Sequence, residues 1–291
     1  MRAEHCRVAP PRLSFRTREL PEGALEGLAL IDLLATRENV SSWVHEGCGL
    51  IGLSRALVIE AHGADRIETL RAAWRAVVGA AWWRDALVRP RTGPVALGAI
   101  TFSPSSEQSS VLVVPEVLVG LDDSGAWLTT VVSGTDDGPE PEHPDPSSLL
   151  TALVADARAA VDREQAGTDR DSGDSGGTTA VEAGALSEEQ WCRAVCATPE
   201  RMRAGQARKV VLARDVLAYP GGPLATGTVL RRLASDYPST WVFAVDQMVG
   251  ASPELLLRLR DRRLMSRVLA GTARRHAGED ALATARLASW L

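Results

Sequence analysis

The sequence predicts an α+β protein built from antiparallel strand pairs and amphipathic helices. Two pairs of strand-like runs joined across turn-forming clusters, and several stretches with apolar residues at helical spacing, carry that prediction. No strand is followed by a Gly-rich phosphate loop, and no fixed-period repeat is present.

The elements follow in chain order. Leu57 to Ala61 reads as a strand, and Asp65 to Val78 as a helix that leads to Trp82 and Trp83. Val95 to Phe102, Ser110 to Val119 and Ala126 to Val132 are β-branched and apolar. The last two flank Leu121-Asp-Asp-Ser-Gly125, a turn-former that makes them a hairpin. Prolines between Gly134 and Pro144 oppose regular structure, and a helix is predicted over Leu149 to Arg163.

Gly, Asp, Ser and Thr crowd between Arg163 and Gly184. Such a stretch buries too little apolar surface to offset its ordering entropy, so it reads as a loop or linker. The expected organisation is therefore an N-terminal part over 1–162, a linker over 163–186, and a second region over 187–291.

Ser187-Glu-Glu-Gln190 has capping-box spacing and starts a helix running to about Gln206, with Trp191, Val195 and Met202 on a related face. Lys209 to Arg214 reads as a strand and Pro220-Gly-Gly-Pro223 as a turn. Thr228 to Ser235 reads as a helix and Thr240 to Val245 as a strand. Leu255, Leu257 and Leu259 alternate with Arg258 and Arg260, cross Asp261-Arg-Arg263, and resume through Val268 as a second hairpin. Asp280 to Leu291 is amphipathic and helical.

Composition narrows the function classes. An apolar share of 45% in 31.0 kDa suits a globular protein with a large core or two domains. The net charge of −5, with no dominant arginine cluster, argues against a nucleic-acid partner but is compatible with an anionic small molecule. Met1 to Leu20 has no apolar block of the secretory kind, and no run approaches the twenty or so apolar residues of a membrane span, so a cytoplasmic protein is expected. Cys6, Cys48, Cys192 and Cys196 form no C-x-x-C pair. Cys192 and Cys196, one helical turn apart, read as small apolar residues, and a zinc site built from these with His45 has no other support. No metal ligands are assigned.

One lysine stands among thirty-one arginines, and it is Lys209. Arginine can replace lysine in most structural work, but it does not give up its proton in water, so it cannot serve as a base. If Lys209 to Arg214 is a strand, Val211 and Ala213 share its face, and the poorly solvated amine would move toward a basic catalyst's range. The plain alternative is arginine-rich coding bias that left one lysine behind.

Three ordered segments extend this reading: Ala207-Arg-Lys-Val-Val-Leu-Ala-Arg214, Gly250-Ala-Ser-Pro-Glu-Leu-Leu-Leu257 and Leu269-Ala-Gly-Thr-Ala-Arg-Arg275. They resemble consecutive motifs of the chorismate-utilising enzymes, most closely the isochorismate synthases, from about Ser187 to the end and more loosely over Val95 to Val132. The resemblance implies a large, mainly antiparallel sheet packed by helices, of the chorismate-utilising-enzyme type and incomplete at the C-terminus. It implies chorismate as substrate, with water adding at C2 while the C4 hydroxyl leaves, and Mg²⁺ holding the ring carboxylate.

That chemistry needs a base and an acid, each opposite in protonation to its default at neutral pH. On the resemblance Lys209 is the base, Glu254 is the acid, and Gly271 with Thr272 contacts a substrate carboxylate. For Glu254, Ser-Pro-Glu is also a good helix start, although the alternating leucines after it favour a strand. For Gly271 and Thr272 the alternative is an ordinary strand-end turn.

Relatives that admit ammonia typically carry glutamine at the Lys209 position or a lysine just before the Gly-Thr pair, where this chain has Ala270. Lys209 with Ala270 therefore points to water as nucleophile. Salicylate synthases share the pattern and go on to eliminate pyruvate.

The family's catalytic region normally continues past the equivalent of Leu291, with the carboxylates that bind Mg²⁺. The magnesium ligands are accordingly expected beyond residue 291, and the chain reads as a fragment inactive alone, serving menaquinone or siderophore synthesis when intact. A reading of another class is a non-catalytic remnant that binds a partner through an open sheet edge.

Overall fold

A computed structural model describes residues 12–34, 37–135, 138–168, 180–219, 225–260 and 262–267. The chain divides into two compact units, one comprising Met1–Glu164 with Ala225–Leu291 and the other Gln165–Leu224.

The first unit opens with β1 (Arg12–Glu19), in which buried Leu13 and Phe15 alternate with Ser14 and Arg16. A short 3-10 turn (Leu30–Leu34) follows, then β2 (Ser41–His45) and β3 (Cys48–Leu53). The β2–β3 hairpin turns on Glu46 and Gly47, both at positive φ, which matches the right-handed twist of the strands. Next come β4 (Leu57–Ala61), α1 (Arg66–Ala80), β5 (Trp82–Asp85), β6 (Leu97–Ala99), β7 (Ser110–Val114), β8 (Val117–Asp122), β9 (Gly125–Gly134) and α2 (Pro146–Thr168), whose last turn is counted in the second unit.

In the second unit β10 (Ala180–Ala183) pairs antiparallel with β11 (Val216–Tyr219), and α3 (Glu188–Arg203) lies between them in sequence. The capping box at Ser187 forms as predicted: Gln190 N–H donates to Ser187 Oγ at 3.2 Å, and Ser187 N–H donates to Gln190 Oε1 at 2.8 Å.

The chain then returns to the first unit with α4 (Thr226–Asp236), β12 (Trp241–Val245), β13 (Met248–Ser252), β14 (Leu255–Arg260) and β15 (Arg263–Arg267).

Eight strands form the main sheet in the order β13-β12-β2-β3-β8-β9-β1-β5. Every pairing is antiparallel except β1 with β5, so the expected α+β class with a large, mainly antiparallel sheet is observed. One apolar cluster joins this sheet to the 3-10 turn, α2 and α4 through Leu30, Leu34, Ile51, Leu128, Leu153 and Leu230. Further clusters join it to α1 and to a three-stranded sheet of order β4-β7-β6, through Phe15, Val77, Val113, Leu118 and Trp127. Composition breaks at 163–186, yet the sheet runs across that break, because β12 pairs with β2.

Several boundaries differ from the sequence reading. Ser110 to Val119 is not one strand: β7 belongs to the small sheet and β8 to the large one. Pro115 at the junction has no N–H for a ladder, and it seats against Gly52, where a Cβ would lie 2.3 Å from its ring. β1, β2, β3, β5, β10 and β13 do not follow from the sequence reading: four charged residues conceal the alternation of β1, and β10 lies inside the 163–186 stretch expected to be a loop or linker. Lys209 to Arg214 is not a strand; the strand begins at Val216. Strand propensity becomes structure only with a partner, and β10 offers its ladder to residues 216–219. The 220–223 turn and the 280–291 helix lie outside the described residues.

Candidate functional site

Lys209 lies in the second unit, on the connection between α3 and β11. α3 ends at Arg203 with Ala204 as its C-cap, Gly205 takes a left-handed φ of 75°, and the chain runs on without regular structure until Val216. Asp215 closes this connection by accepting Ala185 N–H at 3.0 Å on Oδ1, while its backbone carbonyl accepts Gly184 N–H at 3.3 Å. The expectation that Lys209 sits against apolar neighbours on a strand face is not met. Its side chain is exposed, and Val211 is 81% exposed. Without a strand there is no shared face to desolvate the amine.

Glu254 lies in the first unit, on the connection between β13 and β14. Ser252 Oγ accepts Glu254 N–H at 3.2 Å and turns the chain. The Ser-Pro-Glu segment starts no helix, and Leu255 to Arg260 is the strand that its alternation suggested. Glu254 is exposed, immediately before buried Leu255. Gly250, in the same motif, admits Phe243 across the β12–β13 pair, where a Cβ would meet Cζ at 2.8 Å. Gly271 and Thr272 lie outside the described residues. The two catalytic candidates thus fall in different compact units, each on a connection that leads into a strand.

Among the described residues, no three His, Cys, Asp or Glu side chains gather in a way that could hold a metal ion. Cys192 and Cys196 are exposed rather than packed as small apolar residues. Cys48 is partly buried. Burial, helped by the carboxylates of Asp123, Asp122 and Glu46, outweighs Arg91 and pushes its thiol up. No helix among the described residues is long and apolar enough to cross a membrane.

One polar cluster was not picked out from the sequence. His143, from the proline-rich segment after β9, has Nδ1 2.6 Å from Thr130 Oγ1 and Nε2 2.9 Å from Ser14 Oγ. Ser14 donates to Glu140 Oε1 at 3.2 Å, and the same carboxylate accepts from Arg16 at 3.1 Å and Arg84 at 2.6 Å. The signal available in the sequence was a histidine and an acid spaced among prolines, which composition alone labels as loop.

Residues 28–290 match the family described as chorismate binding enzyme. The chain belongs to that family. Among its relatives are the isochorismate synthase MenF of Bacillus subtilis, 28% identical over 67% of this chain and 41% of the relative, and a salicylate biosynthesis isochorismate synthase of Pseudomonas aeruginosa, 29% identical over 80% and 48%. The chain spans about half the length of the curated relatives it matches. The crystal structure of MenF, the menaquinone-specific isochorismate synthase from Escherichia coli, superposes with a TM-score of 0.53. It is 18% identical, covers 97% of this chain and is itself covered over 60%, a likeness of fold.

Proposed function

We propose that the protein belongs to an isochorismate synthase, which adds water at C2 of chorismate as the C4 hydroxyl departs. The observation that carries this is the family match across 28–290, a span that contains the chain's single lysine and Glu254.

In this reading Lys209 takes a proton from water as its oxygen bonds to C2. Both ring double bonds shift, C1=C2 to C1=C6 and C5=C6 to C4=C5, as the C4–O bond breaks and Glu254 protonates the departing hydroxyl, which leaves as water. Each group finishes in the protonation state with which the other began, so catalysis requires them reset between turnovers. Gly271 permits close approach of its backbone to a substrate carboxylate, and Thr272 supplies a hydroxyl donor.

Mg²⁺ is the cofactor this reading implies, since chorismate-utilising enzymes generally depend on it. The described residues do not gather into a site for it, and no step above runs through the ion. The relatives' names attach isochorismate formation to both menaquinone and salicylate routes, and isochorismate is the product they have in common. The reaction is placed in the cytoplasm.

The test is chromatographic detection of isochorismate from chorismate and Mg²⁺, using the protein as its gene encodes it. Lys209→Arg keeps the charge and loses the basicity, so turnover should fall by about 10²–10⁴ with an unchanged circular dichroism spectrum. Glu254→Gln should do the same. Near-wild-type turnover in Lys209→Arg, or no isochorismate from the wild type, overturns the reading.

A further inference from the structure

The cluster around His143 has a direction. Glu140 can only accept, and it already draws donors from Arg16 and Arg84. Ser14 has one hydroxyl hydrogen and gives it to Glu140. Ser14 must therefore accept at its remaining contact, so His143 Nε2 carries the hydrogen. In a neutral imidazole the other nitrogen is then an acceptor, and Thr130 donates to Nδ1. The chain runs one way, from Thr130 through His143 and Ser14 to Glu140.

This chain ties the segment 138–145 to the main sheet at two strands. Ser14 and Arg16 belong to β1, and Thr130 to β9. Ser14 and Thr130 are both buried. Packing supports the same seat, because Gly134 admits both the Trp82 ring and Pro141, to which an added Cβ would lie 2.8 and 3.3 Å. The segment leads directly into α2, whose Leu150, Leu153 and Val154 complete the larger apolar cluster.

We propose that segment 138–145 is an acid-released latch, held on β1 and β9 while His143 is neutral and freed when His143 takes up a proton. A proton on Nδ1 meets the Thr130 hydroxyl hydrogen head-on. Relief requires the buried hydroxyl to turn away and find a new acceptor. The imidazolium also adds a third positive group where one carboxylate, Glu140, already faces Arg16 and Arg84.

The expected pH window follows from the same contacts. Burial first, and Arg16 second, hold His143 below its ordinary value of 6.5 against the opposing pull of Glu140. The unfolded chain therefore protonates first. The latch's contribution is complete above about pH 6.5 and is lost as pH falls through the lower folded value. Glu140 acts in a separate, more acidic window. Burial pushes it up, but hydrogen bonds from Arg84, Arg16 and Ser14 outweigh that and hold it below 4.5.

Unfolding midpoints in denaturant from pH 7.5 to 5 test the proposal on wild type and His143→Gln. One proton accounts for at most about a tenfold fall in the folding constant per pH unit, and this fall should be present in wild type and absent in the variant. Equal pH dependence in both overturns the proposal. Should the variant not fold, nitrogen-15 imaging of the wild-type imidazole by NMR decides: an Nε2–H tautomer titrating below 6.5 supports the latch, and the Nδ1–H tautomer or titration at or above 6.5 overturns it. The amide resonances of Glu140, Glu142 and His143 should lose their native chemical shifts before those of β2 and β3. Simultaneous loss means global unfolding and overturns the latch.

Discussion

Gly120→Ala should destabilise the first unit, although the same change in a free helix stabilises. Gly120 on β8 stands directly opposite Trp127 on β9, and the indole lies over it. A Cβ at Gly120 would sit 2.2 Å from Trp127 Cε2 and Cζ2, against an ordinary contact of 3.4–4 Å, so more than 1 Å of overlap must be relieved. The ring has little room to yield. It is fully buried, packs with Leu118 and Val113, and lies 5.7 and 5.8 Å from the guanidinium carbons of Arg89 and Arg91.

Overpacking of this kind costs about 1–3 kcal/mol. For a chain of this size that lowers the melting temperature by roughly 3–10 °C. Gly79→Ala is the matched control. Gly79 lies in α1 with nothing within 4 Å of an added Cβ and an ordinary helical φ, so alanine there should stabilise by about 0.5–1 kcal/mol. Thermal and denaturant unfolding followed by near-ultraviolet circular dichroism would read both, because the Trp127 band should shift only in Gly120→Ala. A neutral or stabilising Gly120→Ala would falsify the cross-strand packing described here.

Two further outcomes are expected. Leu230→Ala removes a fully buried side chain of α4 from the cluster that also holds Leu30 and Val242, and should cost about 2–5 kcal/mol in the denaturant transition of the first unit. A loss below 1 kcal/mol would mean that α4 does not seal this core. Ser187→Ala deletes the acceptor for Gln190 N–H and should cost α3 about 1 kcal/mol, seen as earlier loss of amide protection over Glu188 to Trp191, whereas Ser187→Asp should retain it.

Several elements are legible in the sequence because short-range chemistry encodes them. The α3 start followed from Ser187 and Gln190, the β8–β9 hairpin from Asp122 to Gly125, the β14–β15 hairpin from its alternating leucines, and the helical stretches from apolar spacing. Each of these signals spans a few residues, and its energy is realised within them. The motifs around Lys209 and Glu254 were legible in the same local way, and they led to the family that the match over 28–290 establishes.

Beyond the hairpins, strand order rests on contacts between segments distant in sequence. Nothing local in Ser110 to Val119 states that β7 pairs with β4 while β8 pairs with β3, because the choice depends on partners distant in sequence and on Gly52 admitting Pro115. The same cause explains Lys209. Its neighbours have strand propensity, but a strand is made by hydrogen bonds to another strand, and in the second unit those go to Val216–Tyr219. His143 is the converse case: a residue that composition assigned to a loop gains a defined tautomer only because β1 and β9 bring Ser14 and Thr130 to either side of its ring.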